Sequence, residues 1–356
     1  MANTTLSDAK KAKNDEFYTQ YADIQQEISA YLEFNPDVFR GKTVLLPCDD
    51  PEWSNFTLFF AQNFQNLGLK RLVSTSFAAE SKKYKLPYQP TLFETDSPQY
   101  DGQKSKIRGK IFTLDHDITG DGKINHEDLK WRYMAENGDF RSPEVLKLRA
   151  KADIIVTNPP FSLFREFLAW IVEAQKKFLI IGNMNAITYK EVFPLIKKNQ
   201  IWLGVSSGAK TYLRIDKTLQ KMGNTCWFTN LDHGHRHRPL PLMTMEENLK
   251  HSKHRPIREQ GYPKYENYDA IEVPYVDAIP CDYGGAMGVP VSFLDKYCLE
   301  QFEIMGKSST LATHIPENLP KNLRGGIRFY LKDRNGNHQR LYERIVIRQR
   351  KKGAKK

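Results

Sequence analysis

Short apolar runs alternate along the chain with longer stretches in which apolar residues recur every three or four positions. Runs of the first kind are typical of buried strands, and stretches of the second kind are typical of amphipathic helices. The alternation predicts an α/β fold with a doubly wound sheet. Strands are predicted at residues 43–46, 71–74, 110–114, 154–157, 178–181, 201–205 and 226–231. Helices are predicted at residues 23–34, 54–67, 143–151, 162–176 and 188–197, the fourth with Ser162 as its N-cap.

Length and composition limit what this fold can be. The 356 residues suit a catalytic domain and one smaller module, and the apolar runs are too short to span a bilayer. The N-terminus lacks the basic start and apolar stretch of a secretory signal. The four cysteines show neither pairing nor metal-ligand spacing. We therefore expect a cytoplasmic protein without a membrane segment.

The net charge of +11 is concentrated near the C-terminus. Residues 320–356 contain 13 Lys or Arg and two acids, whereas residues 1–319 are balanced. A second basic cluster covers residues 233–258, where six Lys or Arg and five His accompany two Glu. Clustered positive charge neutralises phosphates and releases counterions, which is the sequence-independent part of nucleic-acid affinity. The alternative for residues 348–356 is a solvated basic tail.

Unusual polar chemistry appears at three predicted strand ends. Doubly wound sheets bind ligands at the carboxyl ends of their strands, so these positions are candidates for a functional site. The last of the three closes the predicted buried strand 154–157 and precedes a predicted helix. The segments are Cys48-Asp49-Asp50-Pro51, Gly138-Asp139-Phe140 and Asn158-Pro159-Pro160-Phe161.

An amide side chain at a rigid strand end can orient an amine for methyl transfer. An exocyclic amine that donates its hydrogens to Asn158 Oδ1 and the Pro159 carbonyl is drawn toward tetrahedral geometry, which concentrates its lone pair for in-line attack on a methylsulfonium. Pro159 and Pro160 restrict the backbone here, and Phe161 offers a ring face to an extruded base. The simpler alternative is a proline-rich turn that ends a strand. The position between a buried strand and a helix favours the catalytic interpretation.

The segment from Asn158 to Phe161 resembles the amino-methyltransferase catalytic motif in its adenine-specific form. The likeness covers most of residues 14–300 and is specific to the EcoRI-type modification methyltransferases. It implies a class I S-adenosylmethionine-dependent methyltransferase fold with a Rossmann-like sheet. It also implies a monomeric enzyme that methylates adenine at N6 in a short double-stranded DNA site, alongside a cognate restriction endonuclease. The segments that carry the resemblance are residues 15–21, 48–51, 54–56, 66–70, 138–142, 156–164, 187–193, 201–205 and 287–290.

Cofactor contacts are implied by the same resemblance. Residues 17–19 match the N-terminal cofactor-binding motif, residues 49–51 stand where a glycine-rich cofactor loop would be, and residues 139–140 match the motif that flanks the cofactor adenine. Because residues 47–55 contain no glycine, we expect Asp49 or Asp50 to hold the amino group of S-adenosylmethionine. The alternative is a pair of acids at a helix N-terminus. The implied cofactor-binding residues are Phe17, Tyr18, Thr19, Asp49, Asp50, Pro51, Asp139 and Phe140.

Other functions fit parts of the sequence. Methylation of RNA or of a protein glutamine needs the same amine geometry, but Phe161 in place of Tyr and the basic C-terminal half favour DNA. A non-catalytic DNA-binding protein is kept open by the missing glycine loop. Cytosine-C5 methylation, which uses a thiolate beside a proline, is suggested by Pro47-Cys48. It is disfavoured because Cys48 follows the cofactor-side strand and lacks basic neighbours.

DNA recognition is assigned to the C-terminal part, because the catalytic sheet is predicted to be complete near residue 231. We divide the chain into a flexible N-terminal arm (1–14), a catalytic domain (15–231), a target-recognition region (232–345) and a basic tail (346–356). Arginine can bind guanine bidentately or contact phosphates. The candidate DNA-binding residues are Arg214, Arg236, Arg238, Arg255 and Arg258.

One loop, residues 117–128, has the spacing of a calcium site, with a glycine at its sixth position. Calcium loops are normally flanked by helices, and residues 112–114 are predicted as strand, so a polar hairpin is favoured over a metal site. The histidines at 233–254 lack a Cys or carboxylate at ligand spacing, which favours phosphate contacts or a solvated loop over zinc. The candidate calcium ligands are Asp117, Thr119, Asp121, Asn125 and Asp128.

Overall fold

The computed structural model describes residues 18–49, 54–78, 95–213, 218–317, 319–320, 323, 325–333 and 335–350. These residues form two units, and each has its own sheet. Unit 1 contains the described residues up to 186 together with those of 201–233. Unit 2 contains residues 187–200 and the described residues from 234 onward.

A mixed sheet organises unit 1. Its strands are β1 (Tyr18–Thr19), β2 (Thr43–Leu46), β3 (Arg71–Ser76), β4 (Lys110–Leu114), β5 (Lys130–Tyr133), β6 (Ile154–Thr157), β7 (Lys177–Asn183), β8 (Trp202–Leu213) and β9 (Leu219–Thr229). They lie in the order β1-β8-β9-β7-β6-β2-β3-β4-β5. The central strands β7, β6, β2 and β3 are parallel, whereas β4, β5, β9, β8 and β1 each pair antiparallel with their neighbours.

Helices cover the sheet because their apolar residues share one face. Ile24, Ile28 and Tyr31, spaced by four and three residues, are fully buried in the same core cluster as the sheet residues Leu46 and Val156. Apolar burial of this kind stabilises by about 25 cal/mol per Å² removed from water. The helices of unit 1 are α1 (Tyr21–Phe34), α2 (Asn55–Gln62), α3 (Gly102–Ile107), α4 (Pro143–Lys151) and α5 (Phe164–Glu173).

A buried carboxylate fastens α1 to β8. Glu27 is fully buried and accepts hydrogen bonds from the Val205 and Ser206 amides at 2.8 Å each, from Ser206 Oγ, and from the Tyr31 hydroxyl. The β8 backbone is irregular here, because its register against β9 shifts within residues 203–207. Burial raises the pKa of Glu27, and the hydrogen bonds oppose that rise. The irregular backbone therefore finds its hydrogen-bond acceptor in a helix of the same unit.

A smaller sheet organises unit 2. Its strands β10 (Ile271–Glu272), β11 (Met287–Pro290), β12 (Phe302–Lys307) and β15 (Arg344–Gln349) lie in the order β10-β11-β15-β12. A separate hairpin pairs β13 (Tyr330–Lys332) with β14 (His338–Arg340). The helices are α6 (Phe193–Lys197), α7 (Met245–His251), α8 (Arg255–Gln260) and α9 (Ser308–Leu311). Across the described residues, no helix is long and apolar enough to cross a membrane.

The predicted strands 43–46, 110–114 and 154–157 are confirmed at their exact bounds, and the other four are present but longer or shifted. Ser162 as an N-cap was wrong. α5 begins at Phe164 after a 3-10 turn, Phe161–Leu163, in which the Leu163 amide donates to the Pro160 carbonyl at 2.9 Å. The helix therefore starts two residues later than predicted.

The helix predicted at 188–197 is reduced to α6. Residues Met184–Thr188 form a 3-10 turn, and α6 starts only at Phe193. Pro194 explains the late start, because its nitrogen cannot donate into a preceding helical turn but tolerates the first turn of a new helix.

Two predicted domain boundaries differ from the structure. Residues 187–200 belong to unit 2, where Lys307 Nζ donates to the Thr188 carbonyl and lies 5.7 Å from the centre of the Phe193 ring. Residues 346–349, assigned to the basic tail, are part of β15, which lies between β11 and β12. The apolar run Ile345 to Ile347 explains this, because it is fully buried despite its basic neighbours.

The close approach of Gly138 to the Ser76 carbonyl at the end of β3 predicts how substitution there changes the stability of the fold. Gly138 has φ +84°, and a Cβ built there would lie 2.2 Å from the Ser76 carbonyl oxygen. Gly120 has φ +76° with nothing within 4 Å of such a Cβ. We expect Gly120→Ala to cost about 1 kcal/mol from backbone strain alone, and Gly138→Ala to cost roughly 2 kcal/mol more from the clash. Urea denaturation would measure both, and equal losses in the two variants would contradict the close approach.

Candidate functional site

The strand order reverses between β2 and β6. These strands are parallel neighbours, with Val44 opposite Ile154 and Leu45 opposite Ile155. β2 leads through α2 to β3 on one side, and β6 leads through α5 to β7 on the other. In open α/β sheets, ligands bind beyond the carboxyl ends of the strands at such a reversal. The residues that follow β2 and β6 therefore define the candidate site.

Asp49 follows β2 and is only 4% exposed. Ser54, the N-cap of α2, donates from its hydroxyl to Asp49 Oδ1 at 2.7 Å and accepts from the Phe56 amide at 3.1 Å. The Asp49 carbonyl accepts from the hydroxyls of Ser74 and Thr57. Side chains of α2 and β3 thus fix the turn after β2 without a glycine loop. Asp50 and Pro51 lie outside the described residues.

Asn158 follows β6 and is partly buried. Its Nδ2 donates to Thr19 Oγ1 at 3.4 Å, which joins β1 to the end of β6. Pro159 is buried, and the partly buried Phe161 packs against the core cluster shared by α1 and α2. The amide and the aromatic ring therefore belong to one short turn at the site.

Thr19 lies in β1 opposite Tyr212 of β8 and is 2% exposed. Its carbonyl accepts from Asn55 Nδ2 at 2.7 Å. Tyr18, the preceding residue of β1, is partly buried, and Phe17 lies outside the described residues. Sequence reasoning missed Asn55 as a contact of this group. No local spacing could have revealed it, because Asn55 and Thr19 are 36 residues apart.

Asp139 is brought to the end of β3. The Ala78 amide donates to the Asn137 carbonyl at 2.7 Å, and Gly138 lies against the Ser76 carbonyl. β3, β2 and β6 are neighbours in the sheet. The three predicted segments, which contain Asp139, Asp49 and Asn158, therefore lie along one edge of the sheet.

Arg141 controls the charge of Asp139. Its Nε and Nη2 donate to the two Asp139 oxygens at 2.8 and 2.6 Å, and its Nη1 donates to Glu166 at 2.9 Å. These bonds lower the pKa of Asp139 and keep its carboxylate ionised. Phe140 is buried, with its ring centre 5.1 Å from that of Phe167 and 5.6 Å from that of Trp170. Its ring anchors the loop on α5.

The candidate DNA-binding arginines differ in their surroundings. Arg236 is 8% exposed and donates to Asn199 Oδ1 at 2.5 Å, so its guanidinium is engaged within unit 2. Arg255 pairs with Glu259 at 2.7 Å, and Arg258 donates to the Ser252 carbonyl. Arg238 is exposed. Arg214 lies outside the described residues.

The loop with calcium-like spacing joins the antiparallel strands β4 and β5. Its end carboxylates bind backbone amides: Asp117 accepts from Gly120 and Gly122, and Asp128 accepts from Ile118 and Thr119. This is the hairpin arrangement that the sequence favoured. Among the described residues, no group of three His, Cys, Asp or Glu side chains is placed to hold a metal ion.

Comparison with known proteins extends these findings. A family model described as adenine-specific methyltransferase EcoRI matches residues 5–350. The chain is 41% identical to type II methyltransferase M.EcoRI of Escherichia coli over 85% of this chain and 89% of that protein. It is 34% identical to type II methyltransferase M.MpnI of Mycoplasma pneumoniae over 96% of this chain and 97% of that protein. No solved structure matches the chain.

The Asp139–Arg141 pair predicts a pH dependence of stability. The pKa of Asp139 in the folded chain lies below its usual value of 3.8, so folding favours the ionised form. This contribution is present above pH 3.8 and is lost as the pH falls through the lowered pKa. We expect Asp139→Asn to lose roughly 0.5 kcal/mol at about pH 7, and the difference from the wild type to shrink below about pH 4.

Urea denaturation across this pH range measures the effect. Asp37→Asn is the matched control, because Asp37 pairs with Arg40 at the surface, where both side chains are more than half exposed. A difference between Asp139→Asn and the wild type that does not change with pH would contradict the role given to the carboxylate charge.

Proposed function

Because the chain belongs to the adenine-specific methyltransferase EcoRI family, we propose that it transfers a methyl group to N6 of a flipped adenine in double-stranded DNA, at the turn containing Asn158. It is a DNA adenine methyltransferase of a type II restriction-modification system. The observation that carries the proposal is the position of Asn158. Its amide follows β6 at the strand-order reversal, beside the turn that contains Asp49.

The amide gives this chain a way to activate the adenine amine. Asn158 Oδ1 and the Pro159 carbonyl are the acceptors for the two N6 hydrogens, which draws the nitrogen toward tetrahedral geometry and directs its lone pair. Phe161, held against the core cluster, supplies the face on which the extruded base stacks. Pro160 completes the turn and helps to fix the backbone. No side chain acts as a covalent nucleophile in this scheme.

The polar groups at the strand ends fit S-adenosylmethionine. Asp49 offers a buried carboxylate for the cationic amino group, and Asp139 beside Phe140 offers a partly buried, ionised carboxylate near the adenosine end. Tyr18 and Thr19 line the same edge from β1, and the family likeness adds Phe17, Asp50 and Pro51. When bound, this cofactor supplies an electrophilic methyl group. These side chains take over the binding that a glycine-rich loop provides in other methyltransferases.

A class I, Rossmann-like fold is supported by the strand order. The four parallel central strands reverse order between β2 and β6, and the antiparallel β9 separates β7 from β8. β8 is therefore parallel to β7. Helices α2 and α5 make the connections expected of a doubly wound sheet.

Sequence recognition and DNA binding are proposed for unit 2, where the basic residues concentrate. Arg238 and Arg255 are exposed, which favours phosphate or base contacts, whereas Arg236 is engaged by Asn199. A monomer suffices for catalysis, because Asp49, Asp139 and Asn158 come from one chain. A cognate restriction endonuclease would be its functional partner in the cell.

The catalytic assignment predicts that Asn158→Ala loses at least 100-fold in methylation rate while it still binds DNA and cofactor, because only the amine-orienting acceptor is removed. Transfer of labelled methyl to duplex DNA, followed by digestion to nucleosides, should yield N6-methyladenosine with the wild type. Asn183→Ala, at the end of the neighbouring strand β7, is the matched control and should keep its activity.

Three results would contradict the proposal. The labelled methyl group could appear in RNA or protein instead of DNA, or in a DNA base other than adenine. Asn158→Ala could also protect DNA from the cognate restriction endonuclease as fully as the wild type does. The last would show that the Asn158 amide has no catalytic role.

The assignment of DNA binding to unit 2 predicts that Arg238→Ala weakens binding to all sequences equally. The slope of log affinity against log salt should fall by about one, because one phosphate contact is lost. Arg40→Ala, which removes an exposed arginine of unit 1, should leave the slope unchanged. Fluorescence anisotropy at several salt concentrations would measure both. An unchanged slope in Arg238→Ala would exclude a phosphate contact by that residue.

A further inference from the structure

We propose that Thr19 and Asn55 are positioning residues that set the orientation of the Asn158 amide for methyl transfer. The proposal rests on the methyltransferase function given above. Thr19 Oγ1 accepts from Asn158 Nδ2 at 3.4 Å, and the Thr19 carbonyl accepts from Asn55 Nδ2 at 2.7 Å. The three residues form one hydrogen-bonded chain from the first residue of α2, through β1, to the end of β6.

The hydrogen bond from Asn158 Nδ2 to Thr19 Oγ1 holds the nitrogen end of the amide at β1. The nitrogen and oxygen of an Asn side chain are nearly equal in size, so shape alone does not fix their order. With Nδ2 bonded to Thr19, Oδ1 is the end of the amide that we assign to the substrate amine. A reversed amide would present two donors to a group that itself donates, and the amine would not be held.

Thr19 can hold the amide in place because its own position is fixed. It is 2% exposed and lies opposite Tyr212, which is fully buried in β8. β8 is in turn held to α1 through Glu27. Asn55 fixes the other side of Thr19 through its carbonyl. Because Thr19 is bound on both sides, it leaves little freedom of movement to the Asn158 amide that donates to it.

The chain also reaches the turn proposed to hold the cofactor. Asn55 directly follows Ser54, whose hydroxyl donates to the Asp49 carboxylate at 2.7 Å. Asp49 and Asn158 are therefore both held from the start of α2. Ser54 bonds to Asp49 directly, and Asn55 is connected to Asn158 through Thr19. The methyl donor and the acceptor amine are positioned through one set of hydrogen bonds, which favours the aligned geometry that in-line transfer needs.

The test compares Thr19→Val with Thr19→Ser in the full-length enzyme. Valine keeps the shape but cannot accept from Nδ2, whereas serine keeps the hydroxyl. We expect Thr19→Val to lower kcat, measured at saturating S-adenosylmethionine, about 10- to 100-fold, with the dissociation constant for duplex DNA within about threefold of the wild type. Thr19→Ser should recover most of the kcat that Thr19→Val loses. Isothermal titration gives the cofactor affinity without reference to activity.

Asn55→Ala provides a second variant should Thr19→Val fold poorly, which circular dichroism would show. It should lower kcat by about threefold or more at unchanged cofactor affinity. A wild-type kcat in Thr19→Val, or in Asn55→Ala where valine is not tolerated, would overturn the proposal. So would a loss in Thr19→Val that saturating cofactor restores, since that result would make Thr19 a cofactor ligand only. Absence of DNA methylation by the wild type would instead contradict the methyltransferase function itself.

Discussion

The parallel pairing of β2 with β6 is the constraint on which the site depends. It places the ends of two strands that lie more than 100 residues apart in the sequence side by side, and connections to opposite sides leave a crevice between them. Asp49 and Asn158 then extend from neighbouring strand ends. Without this pairing, the amide that we propose as catalytic would not lie beside the turn that we propose for the cofactor.

Polar side chains replace glycines in the turn after β2. A glycine loop binds a ligand through its backbone, which requires close approach and leaves the backbone free to move. Here the side chains of Ser54, Thr57 and Ser74 form hydrogen bonds with Asp49 instead. Asn55 donates a further hydrogen bond to the Thr19 carbonyl. Hydrogen bonds thus join α2, β1, β3 and the turn after β2 at this site.

The second unit combines positive charge with a core of its own. β15 contributes Ile345, Val346 and Ile347 to that core, while exposed Arg348 lies on the same strand. The partly buried Arg344 pairs with the buried Glu272 at 2.8 Å, which neutralises part of the charge inside the unit. Counting basic residues therefore overstates what can reach DNA, as Arg236 on Asn199 also shows.

Local sequence determined the elements whose cause is local. The apolar runs at 43–46 and 154–157 became β2 and β6, and the residues around Asn158 identified the family before any geometry was known. The tertiary structure alone decided that Thr19 binds an amide 139 residues away, and that residues 187–200 join unit 2. Periodicity and turn chemistry act over a few residues, whereas such contacts depend on how strands are ordered in a sheet, which no short window of sequence encodes.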